Sequence, residues 1–337
     1  MTYHFHPEIM NILQQARSTA AWADRTGWSW IELGGSDRLD LLNRLSTNEV
    51  ANLPAGSGRQ TVLLTEKARI IDVLTLCNDT ERTMVLASPS QAGRIVSWLR
   101  TYTITDDVRA KDRTDVTAMI EILGPRAAAA VRDLSGMDVS TIAIAEWKSA
   151  SIDGRPVTIV RMPSASELSY WIVAMREDMS SIVELLRANA GTFAELDPAT
   201  DEYIRVLGGQ GRLGHEWSDA YNPLEAGLLH LTSFTKGCYI GQEVVARLDS
   251  YNKVKQRIMG LHSQAALAVG DEVMADGAVI GRVTSVVPSC DGGARFALAY
   301  VRGEHAHPET TLAIRGAAGD VTAVQSLLPM QDPSCPS

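Results

Sequence analysis

Residues 233–247 read SFTKGCYIGQEVVAR and form the densest run of chemically distinctive residues in the chain. Gly237 and Gly241 bracket Cys238 and an aromatic residue, and a lysine stands two places before the thiol. From Gln242 onward the apolar residues follow helical spacing, so we expect Cys238 in a loop that leads into a helix N-terminus. The positive end of a helix and a nearby ammonium group both favour a thiolate over a thiol.

Two interpretations of Cys238 follow from these residues alone. A cysteine in a glycine-flanked turn is often a small buried residue without reactivity. An accessible cysteine beside positive charge is instead a reactive thiol or a ligand for a soft metal. The pattern allows both.

Three further stretches join this one in a common resemblance: GSDR at 35–38, TNEV at 47–50 and YNPLEAGLL at 221–229. Together with KGCYIGQE at 236–243, they resemble the YgfZ-type folate-binding proteins. Those proteins are relatives of the glycine-cleavage aminomethyltransferase, the T-protein, and are implicated in assembling or repairing iron–sulfur clusters. The resemblance covers about residues 28–261 and extends more loosely into the C-terminal region.

The resemblance implies a fold and a set of site residues. The expected fold is α+β, with an aminomethyltransferase-like body of two related antiparallel-sheet/helix halves around a central cavity, followed by a C-terminal β-barrel. Chemical roles fall to Cys238, Lys236 and Asp72, and tetrahydrofolate or a related folate is the implied cofactor. We assign cofactor-binding roles to Trp28, Asn48, Arg69, Tyr239, Gln242 and Glu243. No residue set is assigned to a metal.

Two departures from the family pattern bear on function. The T-protein carries two adjacent acidic residues after Gly-Gly-Ile, whereas this chain has Asp72 followed by Val73. The family usually has Arg-x-Glu-x-Gly, whose glutamate binds the pterin, but Leu207 stands at that position here. Losing a charge-assisted hydrogen bond of this kind costs about 1.5–3 kcal/mol. Glu216 and Glu225 are the candidates that would replace this carboxylate.

Two of the assigned residues also have a purely structural interpretation. Asp72 is the only carboxylate in an otherwise apolar strand, so it is either a solvated side chain or an acid in the folate pocket. Trp28 is either a core residue or a flat surface for stacking a heterocycle.

Composition narrows the class of protein. The 337 residues are enough for two or three domains, and a net charge of -9 argues against broad nucleic-acid binding. No apolar run approaches a membrane span, and residues 1–10 lack the pattern of a signal or transit peptide, so we expect a cytoplasmic protein. Four cysteines without a CxxC pair fit a reducing compartment and offer no four-cysteine cluster site in one chain.

Periodicity along the chain predicts the domain boundaries. Residues 1–27 contain an amphipathic helix from Pro7 to about Arg25, and 28–252 form the body, with halves at about 28–135 and 136–252. In each half three strands precede a helix. Short strands with Gly/Asp turns predict a barrel over 253–328. The tail, 329–337, is expected to be loose.

Two motifs are read as structural. Residues 88–91 (SPSQ) have the form of a capping box that starts a helix. Residues 209–214 spell GxGxxG, but a helix is expected before them and none convincingly after, which is the wrong context for a dinucleotide site. We therefore expect an irregular loop at 209–214.

Three functions remain open on the sequence. The first is a folate-binding-type protein that supports iron–sulfur cluster assembly through Cys238, together with assembly or client proteins as partners. The second is a one-carbon transferase that acts on tetrahydrofolate. The third is a scaffold protein that has lost its ligand, for which Leu207 is the main argument.

Overall fold

The computed structural model describes residues 7–164, 168–189, 193–250, 254–317 and 319–335. It divides into two compact units. The described residues of Met1–Gln14, Asp197–Leu229 and Glu243–Ser337 make the barrel unit, and those of Gln15–Leu196 and His230–Gln242 make the sheet unit.

Seven α-helices occur in the described ranges. They are α1 (Pro7–Ser18), α2 (Arg38–Leu45), α3 (Ala92–Tyr102), α4 (Ala127–Ser135), α5 (Arg176–Ala188), α6 (Pro198–Leu207) and α7 (Gln242–Ser250). None of the helices in these ranges is both long and apolar enough to cross a bilayer.

The strands fall into two sheets and a barrel. The body contains β1 (Ala20–Asp24), β2 (Trp28–Gly34), β3 (Gly58–Leu64), β4 (Ile70–Asn78), β5 (Arg82–Pro89), β6 (Arg109–Asp112), β7 (Thr117–Leu123), β8 (Trp147–Ile152), β9 (Arg155–Arg161), β10 (Ser169–Met175) and β11 (Phe193–Glu195). The barrel contains β12 (Gln256–Ser263), β13 (Glu272–Ala275), β14 (Ala278–Pro288), β15 (Arg295–Arg302), β16 (Thr311–Gly316) and β17 (Gly319–Ser326).

The sheet unit holds both open sheets. One sheet has the order β11-β1-β7-β10-β9-β8, and the other has the order β3-β4-β5-β2-β6. Neighbouring strands are antiparallel except for β1 and β11, which run parallel. The mainly antiparallel α+β body predicted from the sequence is therefore confirmed.

The two sheets pack face to face, and helices cover their outer faces. Trp30, Leu86, Met119 and Trp171 belong to one buried cluster that draws on strands of both sheets. A second cluster joins the β3-β4-β5-β2 sheet to α2 and α3, and a third joins the other sheet to α4 and α5. Apolar side chains thus point to both faces of each sheet, which explains why the central strands are apolar almost throughout.

The barrel unit has two apolar regions of its own. Its six strands close in the order β12-β15-β14-β13-β16-β17, and the inward side chains fill the interior. Helix α6 packs on β14 and β15 through a separate cluster that includes Leu207, Leu298 and Met330. The predicted C-terminal barrel is therefore confirmed, and α6 is part of the same unit.

The predicted N-terminal helix is too long. Helix α1 ends at Ser18, and Ala20–Asp24 forms the central strand β1 between β11 and β7. The sequence AAWAD has high helix propensity, but four of its five residues are buried in the sheet. Tertiary packing overrides local propensity here.

The boundary predicted between the halves at residue 135 also differs from the structure. The β3-β4-β5-β2-β6 sheet ends with β6, whose sequence RAKD is charged, as is usual for an edge strand. Strand β7 and helix α4 belong with the other sheet, which contains β10, because β7 pairs with β10 along its whole length. Long-range pairing of this kind leaves no trace in local periodicity.

The C-terminal tail is not loose over its described part. Met330 and Asp332 are buried, and the Met330 amide donates to the Leu207 carbonyl at 2.7 Å. Residues 336 and 337 lie outside the described residues.

The capping box predicted at residues 88–91 is wrong. Ser88 lies in β5, and Gln91 is the N-cap residue of α3 without a side-chain capping bond. The Ser88 hydroxyl donates to Asp72 instead.

Candidate functional site

Residues 230–241, named here the Cys238 loop, are anchored to the end of α2 by a buried lysine. Lys236 Nζ donates to the carbonyl oxygens of Asn43 at 2.7 Å, Ser46 at 2.8 Å and Asn48 at 2.6 Å. These carbonyls lie at and just beyond the C-terminus of α2, where free acceptors and the negative end of the helix favour a cation. Lys236 therefore ties the loop to the helix.

Backbone hydrogen bonds join the same two segments. The Ser233 amide donates to the Thr47 carbonyl at 2.9 Å, and the Ile240 amide donates to the Arg44 carbonyl at 2.9 Å. The Thr47 hydroxyl donates to the Leu231 carbonyl at 2.6 Å. The TNEV and KGCYIGQE stretches, about 190 residues apart in sequence, thus form one structure.

Gly241 places the end of the loop against the turn between β3 and β4. Its φ of +81° is in the left-handed region, and a Cβ there would lie 3.0 Å from the Ala68 Cα and 3.0 Å from the Thr65 carbonyl oxygen. Only glycine fits both the backbone conformation and the close approach. The turn in question carries Arg69, one of the predicted cofactor ligands.

Cys238 is exposed, as is Gly237 before it, although Lys236 and Tyr239 are buried. Lys236 and Tyr239 on its two sides are each 7% exposed. Helix α7 begins at Gln242, as the periodicity predicted. The loop therefore presents the thiol to solvent from a backbone fixed at both ends, and the interpretation of Cys238 as a small buried residue is wrong.

Lys236 is positioned by the carbonyls and not by the thiol. An ammonium group has three hydrogens, and all three are used by the carbonyl acceptors. Burial lowers the pKa of Lys236 to about 8, while the charge of Glu49 acts in the opposite direction. The lysine also lies 5.1 Å from the centre of the Tyr239 ring, a cation–π contact. Its visible role is to hold the loop in place.

The side chain of Asn48 is occupied within the protein. Its amide nitrogen donates to the Gln60 carbonyl at 2.8 Å, and its oxygen accepts from the Glu49 amide at 2.9 Å. Asn48 therefore shapes the loop after α2, and its cofactor-binding role stays a prediction.

The remaining ligands predicted around the thiol differ in exposure. The Gln242 side-chain oxygen accepts from the Tyr239 amide at 3.4 Å and so closes the turn before α7. Burial raises the pKa of Tyr239 to about 12, which keeps its phenol neutral. Glu243 is exposed and Arg69 is half-buried. Their roles in binding a cofactor stay predictions.

Asp72 is fully buried, so its interpretation as a solvated side chain is wrong. Its carboxylate accepts from the Ser88 hydroxyl at 2.6 Å, the Ser88 amide at 2.9 Å and the Val73 amide at 2.8 Å. Burial raises the pKa of Asp72 to about 6, and the bonds from Ser88 and Val73 limit that rise. The carboxyl therefore changes protonation state close to neutral pH.

Trp28 lies at the same end of β5 as the Asp72 cluster. It pairs in register with Pro89, which follows the Ser88 that binds Asp72. Its half-buried ring makes an edge contact with Trp171, with ring centres 4.7 Å apart. Trp28 is thus part of the aromatic layer between the sheets and keeps some exposed surface, so its stacking role stays a prediction.

Most of the predicted residues form two groups within the sheet unit, whereas Glu243 belongs to the barrel unit and Arg69 lies on the β3–β4 turn. Asn48, Lys236, Tyr239 and Gln242 are bonded to one another around the exposed Cys238. Asp72 and Trp28 lie together at the end of β5. The sequence analysis missed Ser88 as a partner of Asp72, because it interpreted this residue as the cap immediately before a predicted helix.

Comparison with known proteins gives the family. Residues 3–236 match the GCVT N-terminal domain, and residues 256–332 match the glycine cleavage T-protein C-terminal barrel domain. The chain belongs to the glycine cleavage T-protein family. Residues 237–255, which include Cys238, lie between the two matched regions.

The matches with relatives cover most of this chain and most of each relative. A chloroplastic putative transferase of Arabidopsis thaliana is 28% identical over 93% of this chain and 73% of its own length. An aminomethyltransferase of Streptomyces avermitilis is 28% identical over 87% of this chain and 81% of its own. The crystal structure of the glycine cleavage system aminomethyltransferase T from Bartonella henselae covers 98% of this chain and 91% of its own, with a TM-score of 0.85 at 20% identity. That last likeness shows a shared fold.

Leu207, at the position where the family resemblance implied a glutamate, is part of the apolar core of the barrel unit. It is 6% exposed and packs in the cluster with Leu298, Phe296 and Met330. A leucine in such a cluster has no polar atom to offer a pterin. The structure therefore assigns Leu207 to core packing, and the loss of a pterin contact at this position stays a prediction.

The side chain of Glu216 is occupied within the protein, so its role as a replacement carboxylate stays a prediction. It is fully buried, and its oxygens accept from Arg205 at 3.0 Å, the Arg212 amide at 3.1 Å, Thr284 at 2.6 Å and Ser285 at 2.7 Å. These bonds occupy both oxygens and connect α6 with β14. Residues 209–214, which run beside this network, form an irregular loop, as predicted. A Cβ at Gly211 would clash with the Trp217 ring, so glycine lets the loop pass close to that ring.

The other candidate replacement, Glu225, is also buried, and one of its oxygens accepts from the Asn222 amide at 3.2 Å. It lies in the YNPLEAGLL stretch, where Tyr221 stacks on Tyr300 of the barrel with ring centres 3.6 Å apart. Glu225 therefore takes part in the packing of this stretch.

The cysteines fall into three environments. Cys77 is buried between the sheets, and burial raises the pKa of its thiol to about 12. Cys290 and Cys335 form a disulfide with a Cα–Cα distance of 5.2 Å. The cysteine spacing was interpreted as typical of a reducing compartment and did not predict this pairing, because 45 residues separate the two cysteines. Cys238 is the accessible free thiol among the described residues.

Proposed function

We propose that this chain supports the assembly or repair of iron–sulfur clusters as a folate-binding-type protein, with Cys238 as the reacting group. The observation that carries the proposal is the exposed thiol on a loop whose neighbouring residues, Lys236 and Tyr239, are buried. A thiol held in this way is pre-organised for a partner or an incoming metal.

One thiolate does not complete the coordination of an iron–sulfur cluster, which takes four ligands in its common forms. The remaining ligands must therefore come from a partner protein or a small thiol. Cys238 acts in this proposal as a transient ligand or as a nucleophile toward a one-carbon adduct. An assembly or client protein is the partner that this chemistry requires.

The experiment measures cluster transfer. Purified chain is added to a cluster donor and an apo-ferredoxin, and the rate of holo-ferredoxin formation is followed by its visible absorbance. Cys238→Ala is expected to abolish the acceleration. Asp249→Asn, which changes an exposed residue on α7, is the matched control and is expected to retain it. Equal rates for Cys238→Ala and the unchanged chain would refute the role of Cys238.

The second candidate is a tetrahydrofolate-dependent aminomethyltransferase. It is favoured by the curated relatives named aminomethyltransferase and by the buried carboxyl of Asp72. Against it, Val73 and Leu207 replace two acidic residues of the T-protein pattern. Formation of 5,10-methylenetetrahydrofolate from a protein-bound aminomethyl donor tests it, and turnover that is lost in Asp72→Asn would rank this candidate first.

Folate binding separates both candidates from a scaffold without a ligand. Titration of the chain with tetrahydrofolate, followed by calorimetry, is expected to give saturable binding that weakens in Trp28→Ala. Absence of binding at millimolar folate, in a protein that still accelerates cluster transfer, would remove folate from the proposal and leave the thiol chemistry standing.

A further inference from the structure

The Cys290–Cys335 disulfide lies in the barrel unit and is not part of the site described above. Cys290 follows β14, and Cys335 lies in the C-terminal segment, Leu327 to Cys335. The segment is held by the Met330 amide, which donates to the Leu207 carbonyl at 2.7 Å, and by the buried Met330 side chain. The segment continues from β17 through the backbone, and the disulfide adds a second covalent link, from its far end to the residue region just after β14.

A polar cluster surrounds the two sulfurs. Tyr203 Oη lies 3.2 Å from Cys290 Sγ and 3.3 Å from Cys335 Sγ, and it donates to Asp332 at 2.8 Å. Asp332 also accepts from the Cys290 amide at 2.7 Å and from Ser334 at 2.6 Å. The carboxylate is thus satisfied by protein donors, which leaves the sulfurs as the reactive atoms of the cluster.

The same cluster accommodates both oxidation states. In the reduced form the Cys290 thiol can donate to the Tyr203 oxygen while Tyr203 continues to donate to Asp332. In the oxidised form the Tyr203–Asp332 bond remains unchanged. Neither state leaves a buried polar group without a partner, so conversion does not require the core to repack.

Access to the two sulfurs is unequal. Cys290 is 2% exposed, whereas Cys335 is half-buried near the end of the chain. An external thiolate therefore reaches Cys335 Sγ first, and Cys290 is the leaving group, released beside the Tyr203 hydroxyl.

From these observations we propose that Cys290 and Cys335 form a reversible thiol–disulfide exchange site that fastens the C-terminal segment to the barrel unit. Its reaction partners are a low-molecular-weight thiol and the corresponding disulfide. In the reductive direction a thiolate attacks Cys335 Sγ, the protein S–S bond breaks, and Cys290 takes up a proton. A second thiol then resolves the mixed disulfide on Cys335, giving two protein thiols and one small disulfide. Oxidation by the small disulfide reverses the two steps.

The test uses the full chain carrying Cys238→Ala, so that the exposed thiol does not interfere. Glutathione and its disulfide set the redox poise. Intact mass and peptide mapping report the cross-link, and hydrogen exchange reports opening of the segment. We expect a single reversible transition in which the oxidised protein is lighter than the reduced protein by two hydrogen atoms. This transition should be absent in Cys290→Ala and in Cys335→Ala.

Hydrogen exchange of residues 327–335 is expected to be about tenfold or more faster in the reduced protein. Cys335→Ala, which removes the more accessible sulfur, should exchange at this faster rate under both conditions. The amides of β3 and β4 in the sheet unit serve as the internal reference and should not change.

Three outcomes would overturn the proposal. The first is that millimolar glutathione disulfide forms no cross-link in the native chain. The second is that the cross-link forms but segment exchange is the same in both states, which would mean that it fastens nothing. The third is that the reduced protein retains zinc through Cys290 and Cys335, since the pair would then be a metal site.

Discussion

At the scale of single residues, Asp72 shows how burial sets the chemistry of a carboxyl group. Water is excluded, and two donors from Ser88 and one from Val73 take its place. These bonds stabilise the ionised form, but burial outweighs them and the pKa rises to about 6. A carboxyl group with a raised pKa makes the free energy of unfolding depend on pH, and this dependence can be measured without knowing the substrate of the protein.

The first prediction concerns the pH dependence of stability. The unfolded chain releases the Asp72 proton near the ordinary value of 3.8, whereas the folded protein retains it up to about pH 6. The folded state therefore binds more protons between these values, and the free energy of unfolding falls as pH rises through this window. Asp72→Asn removes the titration, so its unfolding free energy relative to the unchanged chain should rise by about 2 kcal/mol from pH 4 to pH 6.

Urea unfolding at a series of pH values measures this difference. Asp133→Asn, an exposed aspartate on α4, is the matched control and should give a curve parallel to that of the unchanged chain. Parallel curves for Asp72→Asn as well would show that burial does not hold the proton.

The second prediction concerns Lys236. Lys236→Met keeps the apolar stem but removes the donor from three carbonyls at the end of α2. Because these buried carbonyl oxygens lose their hydrogen-bond donor, we expect a loss of about 2–4 kcal/mol in the free energy of unfolding. Lys67→Met makes the same substitution at an exposed lysine of the sheet unit and should cost little. Similar losses in the two variants, measured by urea unfolding, would contradict the anchoring role.

At the scale of elements, the Cys238 loop is defined by contacts with parts of the chain that are distant in sequence. It bonds to the end of α2 and packs on the β3–β4 turn through Gly241. The loop does not need regular secondary structure, because side-chain and backbone bonds to α2 satisfy its polar groups.

The third prediction tests that packing with two glycines of similar φ. Gly241 has φ +81° and is crowded by the Ala68 Cα and the Thr65 carbonyl, whereas Gly56 has φ +78° and no atom within 4 Å of its added Cβ. Gly56→Ala should cost about 1–2 kcal/mol through its backbone conformation alone. Gly241→Ala should cost a further 1–3 kcal/mol, roughly, because the turn must move.

Chemical unfolding gives the two losses, and the rate of Cys238 alkylation reports whether the loop has shifted. An equal loss in both alanine variants, with unchanged alkylation, would mean that the turn does not constrain the loop.

Elements were predictable from the sequence where the pattern is local. The β3–β4 hairpin, helix α3, helix α7 and the strands of the barrel follow from alternation, helical spacing and turn residues. Strand β1 was missed because alanine-rich segments favour helix in isolation, and it is a strand only through its neighbours β11 and β7. The assignment of β7 to the sheet that contains β10 was also missed, because it too depends on pairing between distant strands.

The site was predictable in its residues but not in their partners. The resemblance pointed to Lys236 and Cys238, yet the end of α2 as the target of the lysine follows only from the folded backbone. Ser88 as a partner of Asp72 was equally hidden, since two strands must pair before the two residues meet.

At the scale of the whole molecule, the chain passes between its two units four times, at residues 14/15, 196/197, 229/230 and 242/243. The predicted boundary at residue 253 therefore describes the barrel strands but not the unit to which they belong. Residues 197–229 fold with the barrel because Arg205 of α6 and Glu216 bond to each other and to Ser285 of β14.

The last prediction follows from this buried ion pair. Glu216→Gln removes the charge opposite Arg205 and replaces one of the two acceptor oxygens of this network with an NH2 donor. Breaking a buried pair from one side costs about 3–5 kcal/mol, although Glu202, which also bonds Arg205, should reduce this loss. Native-state hydrogen exchange should show lost protection in α6, β14 and β15, with β3 and β4 unchanged. Glu304→Gln, an exposed glutamate of the same unit, is the control. If Glu216→Gln lowered protection equally in both units, the barrel unit would not unfold as a separate cooperative part, and its boundaries would need to be redrawn.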